Sequence, residues 1–380
     1  MKKKARPFWQ HLFIFVLLSL SFWLHPAKLD GQKMRTENGI RVIYNPKHPV
    51  RWKGAPSQLV LHQDLLIGRA AGEESEMFSD LRSVQVDNEG NIYVLDWKEI
   101  HIKAFDKNGK HLRTFGKRGQ GPGEIQLPTR MILTPAGKLA ILDSGNRKIA
   151  LFSPNGECLK EIPSAKWSLV RIRLDSRDHV YGDTFWFDEK GVGEKLLKFN
   201  PELNLLSTIH EVFIELKPPK VNPLPDRFVY DIMKGDHFLW GVTSKYELLI
   251  LDPEGKPIRK IVKDYDPVRV KEEDKEKLIK DLYGDKGVPP GVTLEWPANY
   301  APMYSLLVDD QDRTFIRTNA KDANGHYSYD VFSPEGICFL SFTLPEKETL
   351  MAIKNDKMYC LINEGEEGVP QVKRYALEWR

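Results

Sequence analysis

The sequence predicts an all-β fold, a six-bladed β-propeller of four-stranded antiparallel blades, and three observations carry that expectation. First, a tight-turn motif recurs as "FDKNGK" from Phe105, "FSPNGE" from Phe152, "FNPELN" from Phe199, "LDPEGK" from Leu251 and "FSPEGI" from Phe332, the first three starting 47 residues apart. Second, a further turn flanked by alternating apolar residues lies upstream of the motifs: "VQVDNEGNIYVLD", "MILTPAGKLAILD", "IRLDSRDHVYGD", "DIMKGDHFLWGV" and "LLVDDQDRTFIR", with "MAIKNDKMYCLI" as a sixth hairpin. Two hairpins in series make four antiparallel strands, and a period near 47 for four strands is what a propeller blade requires. Third, 27 glycines and 25 prolines among 380 residues disfavour a helical chain, while 41% apolar residues suffice for a core.

Taken in chain order, residues 1–32 open with the basic "MKKKARPFWQ" and continue into the apolar run Leu12 to Leu24, "LFIFVLLSLSFWL". This is the pattern of a signal peptide, or of an N-terminal anchor if it stays uncleaved, and it places the chain outside the cytoplasm, in the periplasm, at the cell surface or secreted. A membrane is a partner only in the anchored case. Those residues carry a net +4 against the whole chain's formal +3, so the remainder, at −1, is nearly neutral and no nucleic-acid partner is expected. The propeller then occupies 33–380. The segment "SQLVLHQDLLIGRAAGEESEMF" aligns with "GKHLRTFGKRGQGPGEIQL", so it reads as an outer strand that joins the C-terminal "QVKRYALEW" in the last blade and closes the ring. Residues 263–303 form an insertion between blades four and five, with one amphipathic helix over Val270 to Leu282. Such insertions serve as lids or partner surfaces. "LKPPKVNPLPDR", Leu216 to Arg227, is a second connector on that face, stiffened by four prolines.

Two stretches invite a binding role. "FGKRGQGPGEIQLP", Phe115 to Pro128, is rich in glycine but runs into a strand rather than a helix, so no helix dipole waits for a phosphate; it reads as a blade-to-blade connector in which Arg118 and Gln120 could still meet a ligand. Near the start of four inner strands stand Arg82, Arg130, Arg171 and Arg227. Guanidinium forks gathered at one channel mouth suit carboxylate, phosphate or sulfate. The competing structural reading pairs them between blades with Asp96, Asp143 and Asp183, which end the second strands of blades one to three.

No HExxH, GxSxG or CxxC pattern occurs. His179 and His237 fall in matching turns, "VDDQDR" and "DANGHYSYD" lack full calcium-loop spacing, and Cys158, Cys338 and Cys360 are not placed to form a disulfide scaffold.

"VDNEGNIYVLD…IHIKAFDKNGK…FGKRGQGPGEIQLP" resembles the NHL-type repeat and the related exported six-bladed propellers of bacteria, most closely over Gln58 to Glu161. Blades three to six lack the GxGPGE segment, and the resemblance implies a fold more than a function. The leading expectation is an exported, non-enzymatic propeller that needs no cofactor and binds a protein partner, or an anionic glycan or metabolite, at the arginine mouth. The alternative is a metal-dependent hydrolase or lyase of the lactonase-like or NHL-type lyase-like kind, with a divalent metal such as calcium in the channel. A third class is a scaffold in an envelope assembly.

Overall fold

A computed structural model of the chain describes residues 33–380 apart from 52, 188–190, 216–219 and 366–367. The signal or anchor segment and the start of the proline-rich connector thus lie outside the described residues. Blade one comprises Leu81–Val86, Ile92–Asp96, His101–Phe105 and His111–Phe115, paired in that order from the centre outwards. Blade two runs from Pro128–Leu133 to Cys158–Pro163, blade three from Leu169–Leu174 to Leu205–Glu215, and blade five from Met303–Val308 to Cys338–Leu344.

Blades four and six recruit strands from the N-terminal segment. In blade six, Leu59–Ile67 pairs antiparallel with Gln371–Trp379, so the outermost strand comes from the start of the propeller and the inner three from its end. In blade four, Ile40–Asn45 pairs in parallel with the outer strand Pro257–Lys263, and Lys33–Glu37 pairs with Ile40–Asn45, making a six-stranded sheet. The sequence reading assigned no strand to residues 33–57. At and just after the end of Ile40–Asn45 the chain is tied to blade five, where Asn45 Oδ1 accepts the Cys338 N–H at 2.8 Å and the Val50 N–H donates to the Cys338 carbonyl at 2.8 Å.

Turn chemistry explains the hairpins. At the recurrent turn, Gly109, Gly156, Gly255 and Gly336 have φ of +84°, +87°, +88° and +89°, where a Cβ would be strained. "FNPELN" has no glycine, and Leu203 takes that conformation with φ of +58°. Its burial in the core shared by blades two and three, and the Asn200 Oδ1 contacts to the Glu202 and Asn204 N–H groups, offset the strain. The apolar clusters lie between successive blades, as where Tyr93, Leu95 and Ile102 meet Met131, Ile141 and Phe152. All three cysteines are free, with Cys338 and Cys360 buried.

The insertion contains one helix, Glu272–Tyr283. It starts two residues after the expected Val270, because the Val270 N–H is taken by the Ala298 carbonyl and Asp274 Oδ2 caps the Lys271 N–H at 2.9 Å. Leu282, expected on its apolar face, is exposed. Lys277 reaches Glu346, in the loop between blades five and six, at 3.1 Å, and Lys220–Val221 pairs in parallel with Thr293–Leu294, joining the two long connectors.

Candidate functional site

The glycine-rich connector holds no room for a phosphate, because the chain's own carboxylates occupy its donors. Glu124 Oε2 accepts the Gly121 N–H at 2.9 Å, and Glu161 Oε1 accepts the Gly123 N–H at 2.9 Å while also pairing with Lys148. A Cβ on Gly119 would fall 1.9 Å from Glu124 Oε2, so glycine there serves the fold of the loop. Arg118 donates to the Lys98 carbonyl at 2.9 Å, and Gln120 is exposed beside it.

The four arginines of the inner strands do not share one position. Counting back from the hairpin end of each inner strand, Arg130 and Arg171 stand on the same rung, opposite Leu142 and Asp183. Arg82 lies one residue further out, in the bulge between Leu81 and Ser83, and Arg227 precedes the first paired residue Phe228. A one-residue offset turns a side chain to the other face of a strand. Arg82 accordingly leans over Trp97 at 5.1 Å and pairs with Asp80 at 2.9 Å, half exposed. Arg227 is exposed and adds positive charge near Glu194.

The same offset corrects the expected inter-blade pairing with aspartates. Asp96 and Asp143 end their strands opposite Leu81 and Pro128 and cap the incoming connectors: Asp96 accepts the Ser79 and Asp80 N–H groups, and Asp143 accepts those of Gln126 and Leu127. Asp183 sits one residue earlier along its strand, faces inward, and pairs with Arg171 of its own blade at 2.8 Å.

Around that pair lies a buried polar cluster. The Tyr230 hydroxyl donates to Asp183 Oδ1 at 2.6 Å, and Glu194 Oε1 is 3.7 Å from Arg171. Burial acts to raise Asp183, but the Arg171 charge and hydrogen bond outweigh it and hold the carboxyl below its usual value. Burial, then the hydrogen bond and charge of Asp183, push Glu194 up to about 8, so it carries a proton at neutral pH and donates it to Asp183. The unfolded chain releases the Glu194 proton in the usual carboxylate range, so the folded state binds the extra proton between there and about pH 8 and loses stability as pH rises through that window. Asp183 acts oppositely: its contribution is present above the ordinary aspartate value and is lost as acid protonates it. From about pH 5 to about pH 8 the unfolding free energy is therefore expected to fall by roughly 3–4 kcal/mol. Glu194→Gln should flatten that fall in urea titrations, and an unchanged slope in the variant would assign it to another group.

Arg130 is the exception in this cluster. Burial, then the Arg173 and Arg171 charges, push its guanidinium below the ordinary value. Its Nε is buried without a hydrogen-bond partner, and no carboxylate among the described residues pairs with it.

Two rungs towards the hairpin end, a cavity of about 640 Å³ opens, and one ring of residues from all six inner strands lines it: Gln85, Ile132, Arg173, Asp231, Leu307 and Ala352. Arg173 Nε pairs with Asp231 Oδ1 of the next blade at 2.7 Å, and Asp231 Oδ2 accepts the Val308 N–H of the blade after that. Sequence reasoning missed Arg173 and Asp231. The signal was there in "VRIRL", where residues two apart share a strand face.

Asp309 and Asp322, in the calcium-like stretches, accept N–H groups of their own turns. His179 pairs with Asp175 at 2.9 Å, and His237 contacts the Lys234 carbonyl.

Six blades surround one channel, and a family described as a 6-bladed beta-propeller, DUF5128, matches residues 72–209. The chain is a six-bladed β-propeller. Among solved propellers, a Bacteroides fragilis protein named for its inferred export aligns at a TM-score of 0.54 with 10% identity, over 89% of this chain and 99% of its own. A member of the DUF4221 family from Bacteroides vulgatus aligns at 0.51 with 10% identity, over 85% of this chain and 99% of its own. At that identity the likeness is one of fold. A streptogramin B lyase aligns at only 0.44 with 11% identity, over 84% of this chain and 98% of its own, and its chemistry says nothing of this propeller.

Proposed function

We propose that this propeller works outside the cytoplasm as a binding protein, taking an anionic metabolite or glycan at the channel wall where Arg130 stands beside Arg171 and Arg173 of the next blade. One observation carries the reading: Arg171 and Arg173 each have a carboxylate, whereas among the described residues Arg130 has none. A half-buried cation beside two others is costly unless an anion joins it, and an incoming carboxylate, sulfate or phosphate supplies what the chain withholds. The basic start and apolar run of the N-terminus support the location. The metal-dependent reading gains no support from geometry, because among the described residues no three His, Cys, Asp or Glu side chains converge to hold an ion.

A thermal-melt series with sulfate, phosphate, citrate and galacturonate tests this. An anion at about a hundred times its dissociation constant should stabilise the propeller by roughly 2.7 kcal/mol, and Arg130→Gln should abolish that gain. No gain from any anion, or an equal gain in the variant, overturns the reading.

A further inference from the structure

Across the ring from Arg130, in blade five, a second arginine lacks an acid. Arg317, on the second strand Thr314–Lys321, stands opposite Ser305, which holds the inner-strand position that Arg130 and Arg171 hold in blades two and three. Its Nε is also buried without a partner, and no carboxylate among the described residues pairs with it. Unlike Arg130, it is stacked: its Cζ lies 4.0 Å from the Tyr304 ring centre and 3.7 Å from that of Tyr327. Two rings so close to one carbon take opposite faces of the guanidinium. What remains is the edge, a planar fork of N–H donors, which a ligand reaches only in the guanidinium plane. That is the geometry for a carboxylate.

Tyr304 occupies the bulge between Met303 and Ser305, and 54% of it is exposed, so the ring face turned away from Arg317 is free to stack on a ligand ring. The insertion braces this site from the side. Lys277 of its helix and Lys321 both hold Glu346, at 3.1 and 2.9 Å, and Lys321 also lies over Tyr327 at 4.5 Å.

We propose that Tyr304, Arg317 and Tyr327 form a subsite for an acidic oligosaccharide, which extends the anion reading given above and rests on it. The stack sets the minimum length. The outer face of Tyr304 is a full ring spacing further from the guanidinium than Tyr304 itself, so one sugar cannot both cover that face and place its carboxylate at the edge of Arg317. One residue stacks on Tyr304, and its acidic neighbour meets the fork. A single uronic acid fills only half of the subsite.

Titration calorimetry of the full chain with tetragalacturonate, galacturonic acid and maltotetraose tests the proposal. The tetramer is expected to bind at least about tenfold more tightly than the monomer, and neutral maltotetraose at least about tenfold more weakly than the tetramer. Tyr304→Ala, at an exposed position, should weaken the tetramer about tenfold without moving the melting midpoint, and Arg317→Gln should erase the preference for acidic over neutral chains. Equal affinities for monomer and tetramer, a tetramer indifferent to both substitutions, or full competition by benzoate overturns the subsite. If sulfate or citrate still stabilises the chain through Arg130 in that case, the anion reading stands without it. If no anion binds at all, both fall.

Discussion

A chain that begins at Gly68 is expected not to fold to a soluble monomer, whereas one that begins at Ser57 keeps the ring and melts at a lower temperature. The difference is the strand Leu59–Ile67. Its removal leaves Gln371–Trp379 as an open edge in blade six and strips Leu59 and Ile67 from the cores on either side. Each of those side chains contributes roughly 1.5–3 kcal/mol of burial, and an unpaired apolar edge invites association. The shorter deletion removes Ile40–Asn45 instead. It uncovers Ile261 and removes the Asn45 and Val50 contacts to blade five but leaves every blade its four strands, so its cost falls on the outer seam of blades four and five and does not open the ring. Size-exclusion elution and thermal melts of the two chains separate these outcomes, and a soluble monomer lacking Leu59–Ile67 would show that five complete blades and three strands suffice.

Asp183→Leu is expected to destabilise the propeller by about 3–5 kcal/mol, because it strands a buried Arg171 without its acid. The side chain of Asp183 is 1% exposed and also accepts the Tyr230 hydroxyl, so that donor is orphaned as well. Glu194 is close enough to Arg171 to take over part of the pairing if it gives up its proton. The loss should therefore be smaller at about pH 9 than at about pH 5. The double variant Asp183→Leu with Arg171→Met should recover much of the loss, since two apolar groups replace two charges. Urea titrations of the three chains measure this, and a single-variant loss under about 1 kcal/mol would mean that the cluster does not hold blade three together.

The blades themselves were legible because each is a local object. Turn glycines such as Gly109 and Gly156, and alternation as regular as "NIYVLD", act over a few residues, and a repeated spacing multiplies a weak signal. The N-terminal hairpin on blade four was not legible, since Lys33–Glu37 is exposed along its whole length and carries no apolar alternation. The arginines were visible as residues but misread as one set. Leu81 to Ser83 and Pro128 to Arg130 contain the same bulge, in which Arg82 matches Thr129 and Arg130 stands one position later, so the two face different ways; the repeat of 47 residues already carried that offset.

The sequence by itself determined the number of blades, their order and the connector nature of the glycine loop, for these follow from short-range backbone preferences repeated along the chain. Only the tertiary structure decided that Arg171 meets Asp183, that Arg173 meets Asp231 of the next blade, and that Arg130 and Arg317 meet no acid among the described residues. The physical reason is the period of two along a strand: strand register and bulges choose the face, the ring chooses the neighbour, and neither choice is written within any single repeat.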